Sequence, residues 1–163
     1  MMVPFLVLSA VAVVSTAMVI TRSNAIHALL YLIVSLLAVA SIFFILGAHF
    51  AAALEVVIYA GAIIVLFIFV VMMLNMGPES VQNERRWLGI RAWIGPSALL
   101  GVLAAELFWV LGRGGGGAAG AAVDARRVGA ALYGPYLLGV EATSFLLLAG
   151  LIGAYHIGRR KRV

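Results

Sequence analysis

Three glutamates lie inside otherwise apolar blocks of this chain: Glu55, Glu106 and Glu141. A carboxyl group at the edge of hydrocarbon can load and release a proton, so these residues could handle protons in a dry setting. Glu55 opens an uncharged run. Val56 to Leu74 is 19 residues long, its one ionisable side chain is Tyr59, and Asn75 closes it. An acidic group near a helix centre costs about 2.5–3.5 kcal/mol on insertion scales. The run holds 13 Leu, Ile, Val or Phe residues. At about −0.3 to −0.6 kcal/mol each they contribute roughly −4 to −8 kcal/mol. A helix over this run therefore inserts with its glutamate in place.

Two readings stay open for Glu55 and Glu141. Each could change protonation in a working cycle, or each could bond to a neighbour and complement the dipole at a helix start. Glu106 stands toward a helix exit and reads as structural.

Gly61, in Tyr59-Ala60-Gly61-Ala62, offers conformational rather than acid–base chemistry. Glycine costs about 1 kcal/mol relative to alanine within a helix. Many β-branched residues follow it, and a local i→i+5 turn, a π-bulge, is tolerated in such a place. One inserted residue rotates everything downstream by about 100°, since a helix has 3.6 residues per turn. Val65, Phe67 and Phe69 would then meet different neighbours. The competing reading is a notch for close helix packing. Val57 and Val65, four residues to either side, leave no small-residue ridge through Gly61. Such ridges do occur later, where Ala149 and Gly153, and Gly150 and Ala154, are each four apart.

Other chemistries are poorly served. His27 and His156 could be imagined as paired haem ligands, but both lie close to helix ends. Arg113 and the four glycines after it lack the Lys-Ser/Thr of a phosphate-binding loop and read as a flexible loop. No nucleophile–base pair stands out. The chain has no cysteine. It therefore offers no thiolate for an iron–sulfur cluster or metal site, and no disulfide.

These groups must be positioned by helices in a bilayer. Of 163 residues, 65% are hydrophobic and 10% charged, against about 45–50% and about 25% in soluble domains. A hydrocarbon core about 30 Å thick needs roughly 20 apolar residues per helix. Five blocks qualify, at about 3–21, 25–47, 51–76, 92–112 and 135–157. The expectation is an all-α integral membrane protein of five transmembrane helices, one membrane domain over 1–163 with no water-soluble lobe. Pro4, Pro78, Pro96 and Pro135 fall near block starts or between blocks. Gly47 to Phe50 is so short a connection that the second and third helices must be antiparallel neighbours. A polar segment, Gly77 to Arg91, and a Gly/Ala-rich loop over 113–134 join the later helices. No basic region precedes the first block, which argues against a cleaved signal peptide.

Charge sets the expected orientation. With the N-terminus outside, Arg22, Arg85, Arg86, Arg91, Arg159, Arg160, Lys161 and Arg162 fall inside, eight against Arg113, Arg126 and Arg127 outside. This favours N-out and C-in. It also accounts for the net charge of +5 without nucleic-acid binding. The loop 113–134 is then outside, and all three buried glutamates occupy the outer half of the membrane. Trp87, Trp93, Trp109, Tyr133 and Tyr136 lie near predicted boundaries, as interfacial aromatics do. No internal repeat is evident, so the chain reads as part of a larger membrane assembly rather than a complete transporter.

Two segments carry a resemblance. The first is Asn24, His27-Ala-Leu-Leu-Tyr-Leu-Ile, Ser35-Leu-Leu-Ala, then Leu54-Glu-Val-Val-Ile-Tyr-Ala-Gly-Ala-Ile-Ile-Val-Leu-Phe-Ile-Phe-Val-Val-Met-Met-Leu-Asn75. The second is Val128-Gly, Leu132-Tyr-Gly-Pro-Tyr-Leu-Leu, Glu141, Ser144 and Leu146-Leu-Leu-Ala-Gly. They resemble the subunit J family of bacterial NADH:quinone oxidoreductase, respiratory complex I, which is similar to mitochondrial subunit 6. The fourth helix and the glycine-rich loop match weakly, and Glu106 is outside the pattern. The resemblance implies a multi-pass subunit of the bacterial inner membrane with no redox centre of its own. FMN, iron–sulfur clusters and quinone would belong to the rest of the assembly. It implies other complex I membrane subunits as partners: the quinone-site subunit (lettered H), the small subunits A and K, and the antiporter-like subunit (lettered N). It further implies a third helix that switches between a π-bulge and a regular α-helix. Tyr59, Gly61, Val65 and Phe67 would form a conformational gate, with Glu55 and Glu141 as protonatable or polar groups. A subunit of a multi-subunit cation/proton antiporter and a purely structural scaffold are the alternatives.

Overall fold

The computed structural model describes residues 2–74, 90–112 and 123–158, and among these every regular element is a helix. Asn75, Pro78, Arg85, Arg86, Trp87, Arg113 with its glycine run, and the basic tail Arg159 to Arg162 lie outside the described residues. The first two helices are α1 (Met2–Thr21) and α2 (Ala25–Ile45). The third, α3, is one continuous run in three parts, His49–Leu54, Glu55–Ile63 and Ile64–Leu74. Then come α4 (Ile90–Gly112), the short α5 (Ala125–Leu132) and α6 (Leu137–Gly158). All but α5 are long and apolar enough to cross a bilayer, with mean hydropathies between 1.8 and 3.0. Five such helices are expected from the sequence, and their ends lie within about two residues of the expected places, except that the expected end of α3 at 76 lies outside the described residues.

Two compact units make up the chain, Met1–Val123 and Asp124–Val163. In the first, α2 is the centre. Leu8 and Val11 of α1, Val34, Ala38 and Ile45 of α2, and Leu103 and Val110 of α4 form its core. Ala38 is fully buried, and small side chains of this kind let helix backbones approach where lipid offers no competing hydrophobic drive. Thr16 and Ser35 share a hydroxyl hydrogen bond of 2.8 Å across α1 and α2, and the Ser35 hydroxyl also donates to the Ala12 carbonyl at 3.3 Å. Such interhelical bonds contribute about 0.6 kcal/mol each inside a membrane. α3 packs against α2.

Local sequence explains the ends. Asn24 has extended backbone, and its Oδ1 accepts from the Ile26 and His27 amides at 2.9 and 3.3 Å, capping α2. Gly47, with φ 84°, stops the helix. The Gly47 amide donates to the Phe44 carbonyl and the Ala48 amide to the Phe43 carbonyl, the paired bonds of a glycine-terminated helix end. The chain reverses at once, and α3 begins at His49, whose ring meets Phe44 edge-on at 4.7 Å.

Two features differ from expectation. The segment 113–134 is not loop throughout, because Asp124 caps a helix by accepting the Ala125 amide at 2.7 Å. Pro96 is not close to a helix start either. It is buried inside α4, past the first turn, where its ring removes the amide that would bond back one turn. Just before it, Gly95 faces buried Tyr31 of α2, and a Cβ at Gly95 would collide with the Tyr31 hydroxyl.

Candidate functional site

The backbone of α3 departs from α-helical geometry over Glu55–Ile63, nine residues in π-helical form. At its exit the Ile64 amide reaches the Tyr59 carbonyl five residues back, as well as the Gly61 carbonyl. Such i→i+5 turns are rare and occur mostly as brief interruptions of α-helices. Gly61 shows why this sequence accepts one. A Cβ there would stand 3.2 Å from the Val56 carbonyl oxygen, tighter than ordinary contact. The missing side chain leaves room for the carbonyl of the widened turn.

The π segment gathers Glu55, Tyr59 and Gly61, and Val65 and Phe67 follow directly in the α-helical part. Glu55 is the seventh residue of α3 rather than part of its first turn, because the glycine turn starts the helix earlier than hydropathy suggests. At that depth the N-terminal dipole has largely faded, which weakens the simple capping role. Its side chain is partly buried. Tyr59, Val65 and Phe67 are all at least half exposed in the chain by itself. Ile64 is the contrast. At 2% exposure it is the one buried side chain of residues 55–73, and both the π segment and the segment after it pack on α2. Sequence reasoning misses Ile64. Its only signal is the doublet Ile63-Ile64 beside the glycine.

The remaining carboxylates lie elsewhere. Glu106 lines an open groove between α1 and α4 with Val3, Val102, Ala105 and Trp109, apart from the π segment. Glu141 is the fifth residue of α6, in the second unit, and is exposed. Along α6 no residue is buried, and a Cβ at Gly139 or Gly150 or Gly153 would meet nothing. Within the second unit, then, no described residue covers the small-residue ridge. Its Thr143 and Ser144 hydroxyls donate to carbonyls four residues back, which satisfies them within hydrocarbon. Among the described residues no three His, Cys, Asp or Glu side chains converge as metal ligands would.

Residues 15–157 match the family described as NADH-ubiquinone/plastoquinone oxidoreductase chain 6. The chain belongs to this family. The matched region takes in the whole of α3 and every candidate residue. A protein of Pseudomonas aeruginosa named NADH-quinone oxidoreductase subunit J is 60% identical over 152 residues, 92% of either chain. Another of that name from Escherichia coli (strain K12) is 50% identical over 159 residues, 97% of this chain and 86% of its own. A third, from Buchnera aphidicola subsp. Schizaphis graminum, is 49% identical over 162 residues, 97% and 98% of the two chains. The match thus reaches into both units, α6 included.

Proposed function

We propose that this chain is a membrane-arm subunit of a proton-pumping NADH:quinone oxidoreductase, and that the π segment of α3 is its moving part. Family membership carries the first half of the reading. The second half rests on one observation, a nine-residue π segment at Glu55–Ile63 with Gly61 under the Val56 carbonyl. Return of that segment to α-helix would remove the extra residue, rotate the downstream helix by about 100° and extend it by about 1.5 Å. Val65 and Phe67 would swing with it. In a crowded membrane arm such a motion opens or interrupts a line of water, which is how quinone chemistry would gate proton movement without a redox group here. Tyr59 and Gly61 form the hinge, Val65 and Phe67 the gate, and Glu55 and Glu141 are polar or protonatable groups beside the path.

The same reading assigns FMN, iron–sulfur clusters and quinone to the rest of the assembly. The exposed faces of α3 and α6 would be covered by neighbours: the quinone-site subunit, the two small subunits and the antiporter-like subunit. The charge asymmetry supports N-out and C-in in the bacterial inner membrane.

Gly61→Leu tests the mechanism. The variant is expected to assemble and yet to slow quinone-linked NADH oxidation. Normal oxidation and pumping in an assembled variant would refute the hinge. Purification tests the assignment, since an NADH-binding, flavin-containing arm is expected with the chain. A cation/proton antiporter assembly lacking flavin and iron–sulfur absorption would overturn it.

A further inference from the structure

We propose that α5 is a membrane-surface helix whose paired arginines hold the phosphates of anionic lipid headgroups. The helix has eight residues, Ala125–Leu132, about 12 Å at 1.5 Å per residue, far too short to cross a bilayer. Its residues nonetheless sort by face. At about 100° per residue, Val128 and Leu132 share one side with Gly129, and Arg126 and Arg127 lie around the other. Both arginines are exposed, Val128 is partly buried and Leu132 is 41% exposed. The one acid of the segment, Asp124, is turned to the helix start and accepts the Ala125 amide, so it does not sit among the arginines' outward donors.

Depth follows from what comes next. The α6 span starts at Leu137 and runs for 22 residues, about 33 Å of helix against a hydrocarbon core of about 30 Å. The membrane edge therefore lies close to Leu137. The connection is a closed turn: the Tyr133 amide donates to Gly129, Tyr136 to Ala131 and Leu137 to Gly134. α5 cannot rise far from the edge with so short a tether. Tyr133 and Tyr136, 79% and 65% exposed, are the aromatic type that sits at headgroup level. A short amphipathic helix at that depth lays its apolar side toward the acyl boundary and its basic side among headgroups. Neighbouring arginines offer planar donor forks that match phosphate oxygens.

Because the chain has no cysteine of its own, one substitution adds one labelling site, and the parent assembly treated with the same label supplies the background to subtract. Leu132→Cys carries a nitroxide label in the full chain, within the assembly it forms, reconstituted into vesicles of phosphatidylcholine or of phosphatidylcholine mixed with phosphatidylglycerol. Collision with oxygen reports hydrocarbon, and collision with a water-soluble nickel chelate reports water. In the mixed vesicles the label is expected to favour oxygen and to sit deeper than in phosphatidylcholine. Each arginine should add about a fivefold preference for the anionic surface. Arg126→Gln with Arg127→Gln should abolish the dependence on lipid charge, and Arg126→Lys with Arg127→Lys should keep most of it. A label reached by neither collider means that a protein neighbour covers α5, and a label favouring nickel in both vesicles means that α5 stands in water. Either result overturns the proposal, as does a dependence on lipid charge that survives the glutamine pair. None of these outcomes depends on whether α3 switches.

Discussion

Ile64→Ala should push α3 out of its π form, and Ile63→Ala should hold it there. The reasoning is one of register. With Ala52 and its neighbours fixed on α2, removal of one inserted residue moves each downstream residue into the slot of the residue after it. Ile63 then enters the buried slot held by Ile64, and Ile64 moves out to where Val65, 65% exposed, now stands. The slot against α2 is refilled by the same side chain, so the two registers pack almost equally well. Truncating a buried isoleucine costs about 2–5 kcal/mol in a water-soluble core. In a bilayer the displaced side chain enters lipid as apolar as the slot, so chiefly the packing part remains, roughly 1–3 kcal/mol. That shifts the ratio of α to π form by about 5- to 150-fold. Ile64→Ala removes it from the π register, where residue 64 is 2% exposed. Ile63→Ala removes it from the α register and costs little now, since residue 63 is 36% exposed. The double variant weakens both registers and should return the ratio toward that of the parent. The assay is particle classification in maps of the assembled complex, with α3 scored as π or α, beside quinone-linked NADH oxidation. Shifts of the same sign from both single variants, or a double variant no nearer the parent than either, would refute the register argument.

Four further outcomes are expected. Gly61→Ala gains about 1 kcal/mol in a regular helix and also meets the Val56 carbonyl at 3.2 Å in the π form, so the ratio of α to π form in such maps should rise by about fivefold or more. Glu55→Gln and Glu141→Gln should each keep assembly and lower the protons pumped per NADH oxidised; unchanged stoichiometry in both removes the protonation role. Gly95→Ala should destabilise by about 1–3 kcal/mol through overpacking on Tyr31, read as a lower thermal midpoint of the extracted protein, and Tyr31→Phe should partly restore it by removing the hydroxyl that the new Cβ strikes. Asn24→Ala removes both capping bonds of α2, about 1 kcal/mol, and Asn24→Ser should recover most of the lost midpoint.

The five spans can be read from the sequence because span length and hydropathy are set by the bilayer and not by partners. Finer features depend on local closure. Hydropathy places the start of α3 too late because the glycine-terminated end of α2 turns the chain within two residues and draws His49 and Phe50 into the helix. α5 is hidden between glycines, where eight residues give too few turns for periodicity to stand out. Gly61 identifies where a π turn is tolerated, yet its nine-residue extent depends on which carbonyl each amide reaches. Ile64 cannot be singled out at all. Every residue from Ile63 to Val71 is apolar, so lipid-facing and protein-facing positions look alike.

Burial separates the part of the chain that holds from the part proposed to move. Within its own chain 44% of the α2 span is buried but only 6% of the α3 span. A helix anchored by one isoleucine and a few small residues gives up little on rotating, whereas α2 could not turn without breaking the core it shares with α1 and α4. The Ile63-Ile64 doublet and the run Ala51-Ala52-Ala53 push in the same direction, since a one-residue shift at either end of the π segment presents the same side chain to α2. On the proposed switch, intrachain contacts would therefore leave the two registers close in free energy. What selects between them must act on the exposed face that carries Tyr59, Val65 and Phe67, and that face belongs to whatever packs against it. A ligand or neighbour preferring one register by about 5.5 kcal/mol would suffice to carry the population from one extreme to the other. A switch so balanced within its own subunit would be set almost wholly by its surroundings, which is the property a coupling element requires.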